Sequence, residues 1–293
     1  MRNRWGCVFT LLLACAAGGF LLGRGHRPTG LHTYFVATRP ASDLPPGDPS
    51  AAAPAVPSDE PERQAPRSPA GRAAGRAVII IDDLGASRQA CERFLRVPAD
   101  LTFSFLPDAP LSQTLSREVA AQGRCVMLHL PMEPVDETVS LEPGTITTHM
   151  SASEIDAAVR RALAAVPEAV GVNNHMGSRA TADEEVMRAA LRPLLEHGLF
   201  FVDSRTTTRS VAARVAGQLK APLLERDVFL DAEGARTAAT VASNMQRLAD
   251  LAQGTGLAVG IGHPFDTTAE GIERGLAYFD QAGIEIIAAS EAF

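Results

Sequence analysis

From Ala77 onward, short apolar runs alternate with longer amphipathic stretches, and this alternation restricts the fold more than any other feature of the chain. The first run, AVIII at Ala77–Ile81, is continuous and β-branched, as in a strand buried on both faces. Further runs of this kind are Leu101–Leu106, Arg124–Leu130, Ala169–Asn173, Leu199–Asp203, Pro222–Leu224, Leu257–Ile261 and Ile284–Ala288. Helical patterns lie between most of them. Ser151 with Glu154, and Thr181 with Glu184, have capping-box spacing. Gly123, Gly198 and Gly283 stand where a helix closes before the next strand. Strands alternating with helices build a mostly parallel sheet. About eight units predict an α/β fold, a distorted and closed or nearly closed (β/α) barrel. An open doubly wound sheet is the alternative, but no G-x-G-x-x-G follows the first strand.

In such a barrel the chemistry collects just past the C-terminal ends of the strands. Those positions hold Asp82 and Asp83, His129 with Glu133, Asn173, Asn174 and His175, Asp203 and Arg205, Arg226 and Asp231, and His263. Each has an ordinary reading: the paired acids as a helix cap, His129 or His175 as a hydrogen-bonded core residue, His263 before Pro264 as a turn. Their concentration on one rim argues against coincidence. Two histidines and a carboxylate make a zinc-type site with positions left open. A second carboxylate and a third histidine complete the set needed to hydrolyse an amide or ester. His149 and His197 fall away from strand ends and read as surface residues.

The chain before this domain is different. Arg2 and Arg4 precede an apolar run from Trp5 to Gly23, near the ~20 residues that span a bilayer. Residues 1–26 are expected to form a transmembrane anchor with the N-terminus in the cytoplasm. A cleaved signal peptide and a lipoprotein at Cys15 are the less favoured alternatives. Residues 27–76, rich in Pro, Ala, Ser and Arg from about Thr38, read as a disordered linker, leaving 77–293 as the folded domain in the periplasm or cell envelope. The formal net charge of −7 argues against a nucleic-acid partner. Cys91 and Cys125 allow a disulfide in an oxidising compartment, with buried free thiols the blander option.

The strings IIIDDLG, LHLPMEP, GVNNHMGS, FFVDSRT, ERDVFLD and GIGHP, in this order, resemble the divergent branch of the polysaccharide deacetylases, the NodB-like carbohydrate esterase relatives. The resemblance covers Ala77 to Phe293. It implies a distorted β/α barrel and metal-dependent removal of acetyl groups from a polysaccharide. It also implies Asp82 as general base, Asp83 as metal ligand and His263 as general acid. The parent family's short-spaced histidine pair is missing: His129 stands alone on its strand end, and His175 is the expected substitute ligand for a divalent metal such as zinc. The parent arginine-proline motif is replaced by NNHMGS. Asn174, Asp203, Arg205, Arg226 and Asp231 are expected to bind substrate. The altered second motif keeps an alternative open, an inactive envelope glycan-binding or scaffolding module, and a hydrolase of another amide or a phosphoester is a third reading. No G-x-S-x-G elbow supports serine chemistry.

Overall fold

The computed structural model describes residues 75–232 and 236–293. The expected membrane segment and most of the linker therefore lie outside the described residues. Among the described residues, no helix is long and apolar enough to cross a membrane.

Among the described residues, nine strands form one parallel sheet, curled into an incompletely closed barrel. In chain order they are β1 (Gly75–Leu84), β2 (Thr102–Phe105), β3 (Cys125–Met132), β4 (Gly171–Met176), β5 (Phe200–Asp203), β6 (Leu223–Glu225), β7 (Val228–Phe229), β8 (Leu257–Gly262) and β9 (Ile284–Ile287). The sheet order is β6-β5-β4-β3-β2-β1-β8-β7, with β9 beside the first half of β1. Every expected strand is present, and β7 was not anticipated. It continues β6 after Arg226 and Asp227 but pairs with the opposite end of the sheet: β6 bonds to β5, and β7 to β8. The chain thus passes between the two sheet edges within two residues, which is why this region looked like one short strand.

Seven helices cover the outside: α1 (Arg88–Leu95), α2 (Ser112–Ala121), α3 (Ala152–Ala165), α4 (Glu184–Glu196), α5 (Ala212–Leu219), α6 (Ala238–Thr255) and α7 (Asp266–Ala282). The Ser151–Glu154 capping box is formed at the start of α3. The expected Thr181–Glu184 box is not. Asp183 caps α4 instead, accepting from the Glu185 and Val186 amides, and Thr181 sits in a short 3₁₀ turn. Gly123, Gly198 and Gly283 close their helices with positive φ, the left-handed conformation that costs glycine least.

Strand pleating sorts side chains into two layers, because successive residues point to opposite faces. Along β1, Ala77, Ile79 and Ile81 join the large core beneath the helices. Val78 and Ile80 point into the barrel, where they meet Cys125, Met127, Phe200, Val202, Val259, Ile261 and Ile287. Cys91 belongs to the outer core and Cys125 to the inner one; both are free thiols. Burial raises the Cys91 thiol to about 12.

Candidate active site

The inward parity of the strands continues upward from the apolar floor, and at the rim it carries polar residues. On β1 the inward set Val78, Ile80 ends in Asp82; on β3 Cys125 and Met127 lead to His129; on β8 Val259 and Ile261 lead to His263. Ser104, Asn173, His175 and Ser204 occupy the equivalent positions on β2, β4 and just past β5. Asp83 should by alternation point outward. It does not, because β1 has a register irregularity between Ile81 and Leu84 and Asp83 adopts φ 56°. That left-handed turn lets both carboxylates approach one imidazole: His129 Nε2 is 3.6 Å from Asp82 Oδ2 and 3.2 Å from Asp83 Oδ1. A non-glycine residue held there costs on the order of 1–3 kcal/mol. Met176 and Arg205, at two other strand ends, are left-handed as well.

Asp83, His129 and His175 converge. His175 Nδ1 lies 2.9 Å from Asp83 Oδ1 and 3.1 Å from His129 Nε2, and the two rings meet edge to face. Asp83 Oδ1 is buried, and despite these distances its contacts lack hydrogen-bond geometry. Three potential ligand atoms within 4.8 Å of one another form a candidate cation site. A tetrahedral ion with bonds of about 2.0–2.1 Å would space its ligand atoms about 3.3 Å apart, close to the spacing seen. The donor set and its spacing therefore fit a divalent metal.

The two aspartates differ in proton affinity. Burial pushes the Asp82 carboxyl up, with the His129 and His263 charges only partly opposing it. Burial acts on Asp83 in the same direction, yet the close His175 and His129 rings hold it well below the usual carboxylate range. Asp82 is held by Asn173, whose Nδ2 donates to both carboxylate oxygens at 2.8 and 3.0 Å. On the neighbouring strand end, past β8, His263 meets Asp231, which accepts from its Nδ1 (2.8 Å), from its backbone amide (2.7 Å) and from the Thr268 hydroxyl (2.6 Å). Burial alone would lower the His263 imidazole, but the bond to Asp231 prevails and raises it to about 9. Phe229 stacks against that ring at 6.0 Å, and Phe265 lies beyond at 6.4 Å.

A family model for divergent polysaccharide deacetylases matches residues 79–293. The chain belongs to this family. An uncharacterized Haemophilus influenzae protein is 35% identical over 204 residues, spanning 70% of this chain and 72% of the relative. The uncharacterized Escherichia coli protein YibQ is 33% identical over 201 residues, 69% of this chain and 62% of its own length. The crystal structure of an uncharacterized Agrobacterium tumefaciens protein superposes with a TM-score of 0.71 at 25% identity, covering 78% of this chain and 92% of that one. The match to the deacetylase family spans every rim residue described above.

The residues expected to bind substrate separate into two groups. Asn174 and Asp203 stand at outward parity, and their polar atoms are taken by neighbouring loop groups: Asn174 bonds Met176 O and Ser204 N, while Asp203 accepts from Arg205 N and the Ser210 hydroxyl. Asp231 is buried and engaged with His263 and Thr268. Arg226 donates to the Ser204 and Arg205 carbonyls and lies 3.7 Å over Phe229. Burial lowers its guanidinium to about 10. Of the five, only Arg205 is exposed, paired with Glu225 at 2.6 Å. Sequence reasoning missed Ser104, and it placed Asn173 and Ser204 at strand ends without giving them a role. Their signal was parity: each is a polar residue at an inward position of a buried strand.

Proposed function

We propose that this chain is a metal-dependent hydrolase that removes acetyl groups from an envelope polysaccharide. The convergence of Asp83, His129 and His175 beside an unshared carboxylate, Asp82, carries the reading. Asp83, His129 and His175 would hold the metal, with zinc favoured by the nitrogen and oxygen donors. When bound, such an ion polarises an acyl carbonyl and makes water easier to deprotonate.

The remaining work falls to side chains of the chain itself. Asp82, anchored by Asn173 and with its proton affinity raised by burial, removes a proton from the attacking water at a carboxylate oxygen. The oxygen of that water bonds to the acetyl carbon. Asp231 occupies Nδ1 of His263, so Nε2 is the nitrogen that delivers a proton to the departing sugar nitrogen or oxygen. The C–N or C–O bond breaks, acetate leaves, and the sugar amine or hydroxyl is released. Base and acid come from β1 and from the end of β8, which lie side by side, so the pair can flank one scissile bond.

The apolar run after Arg2 and Arg4 supports a cell-envelope location, with the domain outside the inner membrane. Acetate release from purified envelope glycan, measured with and without a chelator, tests the activity. Activity that survives complete metal removal contradicts the metal mechanism. If the intact protein binds glycan but releases no acetate from it, the binding-module reading replaces the enzyme.

A further inference from the structure

We infer that Asn173 is a positioning residue that fixes the tautomer of His129 and thereby keeps Nε2 bare for a cation. This rests on the metal-site reading above and goes beyond it. Asn173 is fully buried, so its amide must be satisfied by protein groups. It stands directly opposite His129 in the β3–β4 register, which places the two side chains next to each other on the inner face.

As the base of the proposed reaction, Asp82 is a carboxylate, which only accepts. The amide nitrogen must therefore face it, as it does at 2.8 and 3.0 Å, with Ser204 Oγ a further acceptor at 3.3 Å. The reversed amide would set its carbonyl oxygen against both carboxylate oxygens. With the nitrogen so placed, Oδ1 points the other way, where it accepts from the Ser104 hydroxyl at 2.6 Å and meets His129 Nδ1 at 3.0 Å. A carbonyl oxygen cannot donate, so the proton of this contact belongs to Nδ1. In the neutral form, the only one that can ligate a cation, the imidazole carries one N–H, which leaves the lone pair on Nε2. That is the nitrogen 3.2 Å from Asp83 Oδ1 and 3.1 Å from His175 Nδ1.

Asp82 thus sets, through a single amide, which nitrogen of a neutral His129 carries the proton, and β1 to β5 each contribute one group to the chain: Asp82, Ser104, His129, Asn173 and, at the end of β5, Ser204. Without the acceptor, the His129 proton can move to Nε2 and hydrogen-bond to Asp83, closing the site to a cation. Partners that orient a ligating histidine in this way are typically worth about 10–100-fold in metal affinity or activity.

The test uses zinc as probe, with affinity measured by competition against a chromophoric chelator, and ¹⁵N-histidine NMR of the zinc-loaded protein. Wild type should show the His129 proton on Nδ1, protected from exchange. Asn173→Leu, similar in size but without an acceptor, should lose roughly 10–100-fold in zinc affinity together with that protected signal. Asn173→Gln retains the amide donor toward Asp82 and the acceptor toward Nδ1, and should keep affinity and signal better than Asn173→Leu. A structural role alone predicts no such split. A wild-type His129 protonated on Nε2 overturns the proposal even if every variant misfolds. Wild-type zinc affinity in folded Asn173→Leu overturns it while the metal reading stands. A wild-type protein that binds no zinc overturns both.

Discussion

The floor and the rim of this barrel are built from the same strands with the same inward parity, yet they answer to different requirements. The floor is apolar: Val78, Ile80, Met127, Val202, Val259 and Ile261 pack against one another and against Ile287 of the C-terminal strand. The rim places Asp82, Ser104, His129, Asn173, His175 and Ser204 at the corresponding upper positions, all buried. It also contains Asp83, Met176 and Arg205 in the left-handed region. Burying polar groups and holding strained backbone both cost stability. The floor stabilises the barrel, and the rim is tolerated because the barrel is already stable. Substitutions should therefore separate activity from stability according to height along one strand.

The largest expected effect is at the top. Asp83→Ala or His175→Ala should abolish stoichiometric divalent metal, read by elemental analysis, and reduce acetate release by more than the roughly 10²–10⁴-fold of a single acid or base. Thermal unfolding of the metal-free protein should change little, because a half-buried, strained acid or an imidazole is being removed. Full metal content in His175→Ala would remove His175 from the ligand set and leave the barrel as described. One step smaller, Asp82→Asn and His263→Ala should each lower kcat about 10²–10⁴-fold with metal retained. Wild-type rates in both would refute the base and acid roles.

At the floor the pattern should invert. Ile261→Ala, on the same strand that ends near His263, should cost about 2–5 kcal/mol of stability through lost burial and a residual cavity. The folded fraction should still bind metal with wild-type stoichiometry. Denaturant unfolding paired with elemental analysis measures both. A floor variant that loses metal but not stability would erase the distinction between the two levels.

Much of this division was legible in the sequence. The β-branched runs announced their strands, since a continuous run of that kind has few other places to go. The histidines and paired acids at strand ends announced the rim. What was not legible came from two sources. β7 is two residues long, and its pairing across the sheet depends on a bend at Arg226–Asp227 that no local pattern encodes. Asn174 and Asp203 were assigned to substrate because they are polar and terminal, whereas counting parity from Val172 and Phe201, both outward in the core, turns them away from the barrel interior. The same count from Gly171 turns Asn173, already placed at a strand end, toward the interior. Asp83 is the opposite case: parity sends it outward, and only the left-handed turn brings it in.

The smallest effect at neutral pH tests the rim's electrostatics. His263 can act as an acid only while protonated, and Asp231 is what raises it to about 9. Wild-type kcat should therefore hold through neutral pH and fall as pH rises through about 9. Asp231→Asn keeps the size of the side chain but removes the anion, so the imidazole should fall to its unperturbed value of about 6.5 or below, since burial then opposes its charge. At pH 7 a group at about 6.5 is still about a quarter protonated, so the rate should drop at least roughly fourfold. At pH 8 to 9 the gap between variant and wild type should widen toward 100-fold, and the alkaline limb of the variant should begin below pH 7. The same shift makes a stability statement. A histidine raised on folding stabilises the native state fully below its unfolded pKa, and that contribution fades as pH rises through the folded value. Wild-type stability relative to Asp231→Asn should thus be greatest in mild acid and shrink toward pH 9. Parallel pH–rate profiles of acetate release and pH-dependent melting curves measure both. An alkaline limb left in place by Asp231→Asn would show that His263 is not the proton donor whose loss limits the reaction.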